Sequence, residues 1–313
     1  MSKRRVVITG LGILSPVGNS IEGSWQNILE GMNPVKEIKY FDIRNFKTKF
    51  AASLSNFKAE DYLQKKEIRR LDPFIQYGVA ASTECILDSA IEVSLINQER
   101  IGVALGSGIG GLDTIYKNAK LLNKLGPERI SPFFVPGSII NMLSGYISIK
   151  FGFKGPNVSI ANACSSASHS IGYSYRAISH GDADLMLTGG AEMSITPLAV
   201  AGFNASKALS TKNDSPETAS RPWDKDRDGF VLGEGAGTLM LEEYEHAKKR
   251  GAKIYAEIIG FGMSSDAYHI TSPPESGTGA ALAMHNALVD ANLCPEEIQY
   301  INAHGTSTQV GDL

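Results

Sequence analysis

Two short segments carry residues able to do chemistry. Asn162-Ala163-Cys164-Ser165-Ser166 follows the apolar run Val158–Ala161, and Asn302-Ala303-His304-Gly305-Thr306-Ser307-Thr308 follows Gln299–Ile301. Both read as a strand, Asn-Ala, one reactive residue, then small polar residues. A cysteine between a strand and a helix start faces unpaired N–H groups and the positive end of the helix dipole. That setting favours the nucleophilic thiolate. Ser165, Ser166, Ala167 and Ser168 are small enough to leave room for a substrate. A cysteine buried at a close-packed turn is the competing reading. His304 leads into three hydroxyl side chains that can bind a polar ligand, and a structural histidine bonded to nearby backbone competes with that. A Cys and a His, each at a strand end, point to nucleophilic chemistry on an acyl group.

Other candidates are weaker. Cys85 sits in a helical stretch and Cys294 precedes Pro295, so both read as packing cysteines. His246 lies in a charged helix and reads as solvated. His180 precedes a helix-ending Gly, His169 is little more than one turn from Cys164, and His285 falls within an apolar helix. His269 stays ambiguous. Gly106-Ser-Gly-Ile-Gly110-Gly111 satisfies the dinucleotide fingerprint G-x-G-x-x-G after a strand, but no second strand ending in an acid follows. A tight glycine turn is the plainer reading. Asp224-Lys-Asp226-Arg-Asp228-Gly229 begins like a calcium loop, yet the closing position is Gly235 rather than Glu. A turn fixed by Asp/Arg pairs fits better. His304 lies 140 residues after Cys164, a papain-like spacing, but the local papain signature is absent.

These residues need a scaffold. Short β-branched runs alternate with helical patterns, which argues for an α/β protein. Strands are expected at Arg5–Thr9, Ile101–Leu105, Asn157–Ala161, Leu185–Thr188, Gly237–Glu242, Lys253–Gly260 and Gln299–Asn302. Helices are expected over about Leu112–Leu122, Ser165–His180, Glu243–Arg250 (with a Glu245/Lys249 pair) and a buried, Ala-rich Gly279–Asn292. The matched Cys and His segments predict a duplicated fold, each half presenting one catalytic residue at a strand end.

The chain has 313 residues, 42% hydrophobic and 20% charged, enough for one large domain or two packed halves. Its net charge of −3 shows no basic excess, so nucleic acid is not an expected partner. Three cysteines suit a reducing, cytoplasmic setting rather than a disulfide framework. No apolar run reaches the length of a membrane span. Residues 1–14 mimic a signal peptide, but Gly10, Gly12 and Pro16 interrupt the run and Val6-Val7-Ile8 reads as a buried strand.

Taken together, the motifs resemble the β-ketoacyl-acyl carrier protein synthases, the condensing enzymes of fatty acid synthesis, most of all the bacterial type II enzyme. The resemblance spans the whole chain: Val7–Gly12, Ile75–Gly78, Ser131–Pro136, Asn162–Ser166, Gly189–Glu192, Ser220–Asp224, Arg227–Val231, Ser264–Tyr268 and Asn302–Thr308. It implies a thiolase-like fold of two duplicated α/β halves in αβαβα layers, here residues 1–251 and the start of a second half at 252–313. It also implies a homodimer without metal or cofactor. Cys164 would take an acyl chain from acyl carrier protein. His304 would hydrogen-bond the thioester oxygen as malonyl-acyl carrier protein loses carbon dioxide. Thr306 and Thr308 match positions on the phosphopantetheine arm. Ile109, Phe134 and Phe203 match the acyl pocket, with core packing as the competing reading. The densest basic run is Lys65–Arg70. By resemblance Lys66, Arg69, Arg70 and Lys207 dock the acidic carrier; a solvated helix face is the alternative. The family's second catalytic His, its Lys and a glycine-rich gate lie beyond the HGTST motif, and nothing up to Leu313 matches them. The 313 residues as written are therefore expected not to complete the reaction. A thiolase acting on coenzyme A esters is the alternative, disfavoured by the HGTST and Asp226–Val231 motifs. A silent partner that only binds acyl chains or carrier would lack the cysteine.

Overall fold

The computed structural model describes residues 3–313. In chain order the strands are β1 (Val6–Leu14), β2 (Val35–Glu37), β3 (Phe50–Ala52), β4 (Ile101–Gly106), β5 (Asn157–Val158), β6 (Leu185–Met193), β7 (Glu234–Glu243) and β8 (Ala256–Ile258). The helices are α1 (Ile21–Leu29), α2 (Lys65–Ile68), α3 (Pro73–Asp88), α4 (Leu112–Leu125), α5 (Phe134–Ser138), α6 (Met142–Phe151), α7 (Ser166–His180), α8 (Pro197–Ala205), α9 (Tyr244–Lys249) and α10 (Thr278–Ala291). They form two compact units, each drawn from separated stretches of chain.

The first unit, residues 1–34, 52–199 and 233–257, holds a six-stranded sheet in the order β5-β4-β6-β7-β1-β8. β4 runs parallel to β5 and β6, whereas β7 is antiparallel to β6 and β1. Every residue of β4 is buried, so its sequence Ile-Gly-Val-Ala-Leu-Gly shows no polar alternation. α3 is buried along most of its length. Its Phe74, Ile75, Val79 and Cys85 join Leu14, Leu105, Leu185 and Met240 in the core. Its acids serve the sheet as well. Leu11 N donates to Asp88 Oδ2 at 2.8 Å, and Ile13 N to Glu84 Oε2 at 2.7 Å.

The second unit comprises residues 35–51, 200–232 and 258–313. β2 pairs with β3, and Leu209 bridges Phe230. Two expectations fail here. Gln299–Asn302 forms no strand, and Tyr300 and Ile301 are 81% and 65% exposed. An extended segment needs a neighbouring ladder, and the described residues give it none. The Ala-rich helix, α10, is also largely exposed, with only Gly279 buried. One face rests on backbone: a side chain at Gly262 would strike Ala283 O and Ala287 N. Leu282, Met284 and Val289 face away from that contact and are exposed.

Smaller corrections concern α9 and the strand before Cys164. Glu245 pairs with Lys248 at 3.6 Å, not with Lys249. His246 is only partly solvated: its Nδ1 lies 2.6 Å from buried Glu242, which also binds Thr9 and Arg250. Desolvation opposes the charged form of Glu242, but hydrogen bonds from Arg250, His246 and Thr9 outweigh it and hold the carboxyl below its usual range. The strand before Cys164 is only Asn157–Val158; the next link to β4 is a single bond from Ser107 N to Ile160 O.

Candidate active site

Cys164 sits on a tight elbow. β5 gives way to an irregular stretch, a single 3-10 turn covers Ala163–Ser165, and α7 starts at Ser166. Ala163 holds φ +47°, a left-handed conformation that costs a residue with a Cβ on the order of 1 kcal/mol. Ser166 fastens the turn. Its Oγ accepts from Asn162 N at 2.8 Å and donates to Ala163 O at 2.7 Å. Asn162 Nδ2 meets His169 Nδ1, so that histidine braces the elbow from the next turn of α7. The Cys164 side chain is exposed, which removes the buried-cysteine reading.

Glycines let the flanking strands approach the elbow. A Cβ on Gly106, at the end of β4, would stand 2.6 Å from Ser166 O. One on Gly190, in β6, would stand 2.7 Å from Gly106 O and 3.0 Å from Ala167 Cβ. The start of α7 therefore lies directly on the end of β4 and the middle of β6. The Gly106–Gly111 loop is the tight glycine turn expected, and it wraps a carboxylate from within the chain. Glu192 Oε2 accepts from Gly108 N at 2.7 Å and Ile109 N at 3.0 Å. Glu192 appeared in the sequence only as the end of a motif.

The other first-unit candidates separate by role. Ile109 is 39% exposed at the tip of that loop, and Phe134 is half-buried at the start of α5. Lys66, Arg69 and Arg70 are exposed on and just after α2. Arg70 lies 4.0 Å over the Phe133 ring. Arg69 and Arg70 border a cleft of about 240 Å³ shared with Lys117, Ser131 and Phe133; the cleft does not include Cys164. Beneath it, buried Asp72 caps α3. Its Oδ1 accepts from Phe74 N at 3.2 Å and its Oδ2 from Thr114 N at 2.9 Å.

In the second unit His304 is exposed at the head of a tightly held turn. Asp312, buried, is the hub. Its carboxylate accepts from Thr306 N at 2.9 Å, Ser307 N at 3.0 Å and Trp223 N at 3.0 Å. Arg227 Nε stands 3.7 Å from it and also donates to Thr308 O. Thr306 and Thr308 hydroxyls lie 3.1 Å apart on the same turn. Gly305 is fixed by shape: a Cβ there would sit 2.6 Å from the Trp223 ring. The Asp224–Asp228 segment is a turn pinned by the Arg221–Asp224 pair at 2.9 Å. Phe203 packs edge-on against Phe230 at 5.3 Å, and Lys207 is exposed with φ +57°. Asp312 went unnoticed in the sequence because its partners lie up to 89 positions away.

An exposed thiol on a strained turn at a helix start, beside the glycine that ends β4, fits an enzyme of the nucleophilic acyl-transfer class. The chain belongs to the β-ketoacyl synthase family: residues 3–247 match its N-terminal domain and residues 255–313 its C-terminal domain. A curated relative, 3-oxoacyl-[acyl-carrier-protein] synthase 2 of Vibrio cholerae, is 58% identical over all 313 residues, which cover 76% of its length. A β-ketoacyl synthase structure from Burkholderia phymatum superposes with a TM-score of 0.90 at 39% identity, over 99% of this chain and 76% of that one. A ketosynthase captured with its type II polyketide acyl-carrier protein gives a TM-score of 0.88 at 32% identity, over 99% and 75%. The fold is thus the thiolase-like fold of the ketosynthases, as the motifs led us to expect.

Proposed function

We propose that the full-length enzyme to which these residues belong carries out the decarboxylating condensation of malonyl-acyl carrier protein with an acyl group held on Cys164, lengthening a fatty acid by two carbons. The Cys164 thiolate attacks the acyl thioester, and the carrier's pantetheine thiolate leaves. Malonyl-carrier then loses carbon dioxide. His304 donates a hydrogen bond to the thioester oxygen as the enolate forms. The enolate carbon attacks the acyl-Cys164 carbonyl, and the cysteine leaves as thiolate. Amides in the first turn of a helix have no intrahelical acceptor. The Cys164 N–H can therefore serve the oxyanion, an interaction worth about 3–4 kcal/mol.

The observation that carries this reading is the exposed thiol on the Ala163–Ser165 elbow in a chain whose two parts match both domains of one family. Ile109, Phe134 and Phe203 line the acyl chain in this proposal, and Thr306 and Thr308 hold the pantetheine arm. Lys66, Arg69, Arg70 and Lys207 receive the carrier. We place the protein in the cytoplasm as a homodimer; among the described residues no helix is long and apolar enough to cross a membrane. We set the boundary between the two thiolase-type halves near residue 251.

Acylation and decarboxylation rest on different groups, so they can be tested apart. Incubation with acyl-carrier protein should add the acyl mass, and Cys164→Ser should abolish that gain. His304→Ala should keep the gain but lose malonyl decarboxylation in the full-length enzyme. Lost acylation with retained decarboxylation would overturn the assignment.

A further inference from the structure

The carboxylate of Glu192 takes up an unusual share of one loop's amide groups. Besides Gly108 N and Ile109 N on Oε2, Oε1 lies 3.2 Å from Gly110 N and 3.3 Å from Ser107 Oγ. Ser107 Oγ in turn accepts from Gly110 N at 3.1 Å. Three successive backbone N–H groups and a hydroxyl thus converge on one side chain from β6. The ends of the loop are held by backbone, Ser107 N to Ile160 O at 3.3 Å and Gly111 N to Ser138 O at 3.0 Å, whereas the amides between them, two of them glycine, turn to Glu192. It also lies against the elbow. A Cβ on Gly108 would stand 3.1 Å from Glu192 Oε2 and 3.2 Å from Ala163 O, the residue before Cys164.

We infer that Glu192 is a positioning residue that fixes the Ser107–Gly110 loop, and with it Ile109, at a set distance from Cys164, and so determines which acyl chain lengths the cysteine accepts. The inference rests on the acyl-transfer reading of Cys164 and on the place proposed above for Ile109 along the acyl chain. A carboxylate accepts at both oxygens, whereas an amide accepts at one and presents N–H to the other. Glu192→Gln therefore keeps the size of the side chain but turns a donor against Gly110 N, while the Ser107 hydroxyl must reverse from donor to acceptor. The loop is freed at its tip while Ser166, which fastens the elbow, is untouched.

The experiment uses the full chain and a series of short, medium and long straight-chain acyl-pantetheine thioesters, with Cys164 acylation followed by mass. Wild type should show a clear chain-length preference. Glu192→Gln should flatten it by about tenfold, while iodoacetamide alkylation of Cys164 stays at the wild-type rate. Adding Ile109→Ala to Glu192→Gln should change the profile little further, because both act through one wall. Ser107→Ala, which removes the hydroxyl's bonds to Glu192 Oε1 and Gly110 N but leaves the two amides on Oε2, should flatten the preference less and stands in if Glu192→Gln does not fold. An unchanged preference in the variants, or a uniform loss across all lengths together with slower alkylation, would overturn the inference alone. A wild-type chain that no thioester acylates would overturn the functional reading beneath it.

Discussion

A thiol reacts as its thiolate, so exposure and local charge decide which cysteine of a chain is modified. Cys85 is buried in α3, and desolvation pushes its thiol far above the ordinary range. Cys164 and Cys294 are both exposed, so Cys294 is not the packing residue its place before Pro295 predicted. Iodoacetamide should label Cys164 and Cys294 and spare Cys85 until the chain unfolds. An acyl thioester should label Cys164 alone, because only that sulfur begins a helix of substantial length. Peptide mapping that finds acyl groups on Cys294 would sink this selectivity. Asp72 offers a second test. Burial pushes its carboxyl up to about 6, against hydrogen bonds from Thr114 and Phe74 that favour the charge. A carboxyl raised on folding makes the folded chain bind more protons than the unfolded one. Stability should then fall as pH rises from about 4 to 6, by roughly 3 kcal/mol if the whole shift is realised. Asp72→Asn cannot titrate, so the stability advantage of wild type over the variant should shrink across that window and level off above it. A difference independent of pH would contradict the burial argument. Cys164 and His304 stood out in the sequence because each is announced by its own neighbours. Asp72, Glu192 and Asp312 did not, because their meaning lies in amide groups 42, 84 and 89 positions away.

At the scale of elements, the elbow depends on how closely α7 lies on β4 and β6. Gly106→Ala would drive a methyl group into Ser166 O, a backbone atom that cannot step aside without moving the helix. Overpacking of this kind costs about 1–3 kcal/mol. The variant should melt earlier and acylate Cys164 more slowly; wild-type behaviour in both measurements would show that α7 has more slack than its contacts indicate. The basic stretch around α2 makes a different prediction. Lys66, Arg69 and Arg70 are exposed and belong to no packed core. Reversing all three to Glu should raise KM for carrier-bound substrates and leave short acyl-pantetheine mimics nearly unaffected. Equal loss on both substrates would assign the stretch to folding instead. Most elements were legible from periodicity and stops. Gly181 ends α7 in a left-handed turn as its place after His180 predicts, and the apolar runs at Ile101 and Leu185 are β4 and β6. The expected strand at Gln299–Asn302 was not, because an apolar run specifies a strand only when another strand lies beside it.

Over the whole molecule the charge is −3, so attraction to an acidic carrier cannot arise from the net field. In the docking proposed above it comes from the local cations near α2, within roughly a Debye length of the partner. Carrier binding should therefore weaken steeply as salt is raised, and the triple charge reversal should flatten that dependence; identical salt slopes would place the carrier elsewhere. The two compact units were not readable from composition, since each gathers three separated stretches of chain and no linker marks their borders.

The two α3 acids that receive the amides of Leu11 and Ile13 have a bearing on the life of the protein in a crowded cell. Unpaired N–H groups along a sheet border invite strands from other chains, the first step toward fibrils and inclusion bodies. β8, beside β1, is only three residues long and cannot pair all of it; Glu84 and Asp88 occupy the amides of Ile13 and Leu11 from within. The glycines of Val7-Ile8-Thr9-Gly10-Leu11-Gly12 let α3 come close enough to do so. Losing either acid, as in Glu84→Ala or Asp88→Ala, should therefore raise the tendency of the chain to aggregate, read by light scattering on heating.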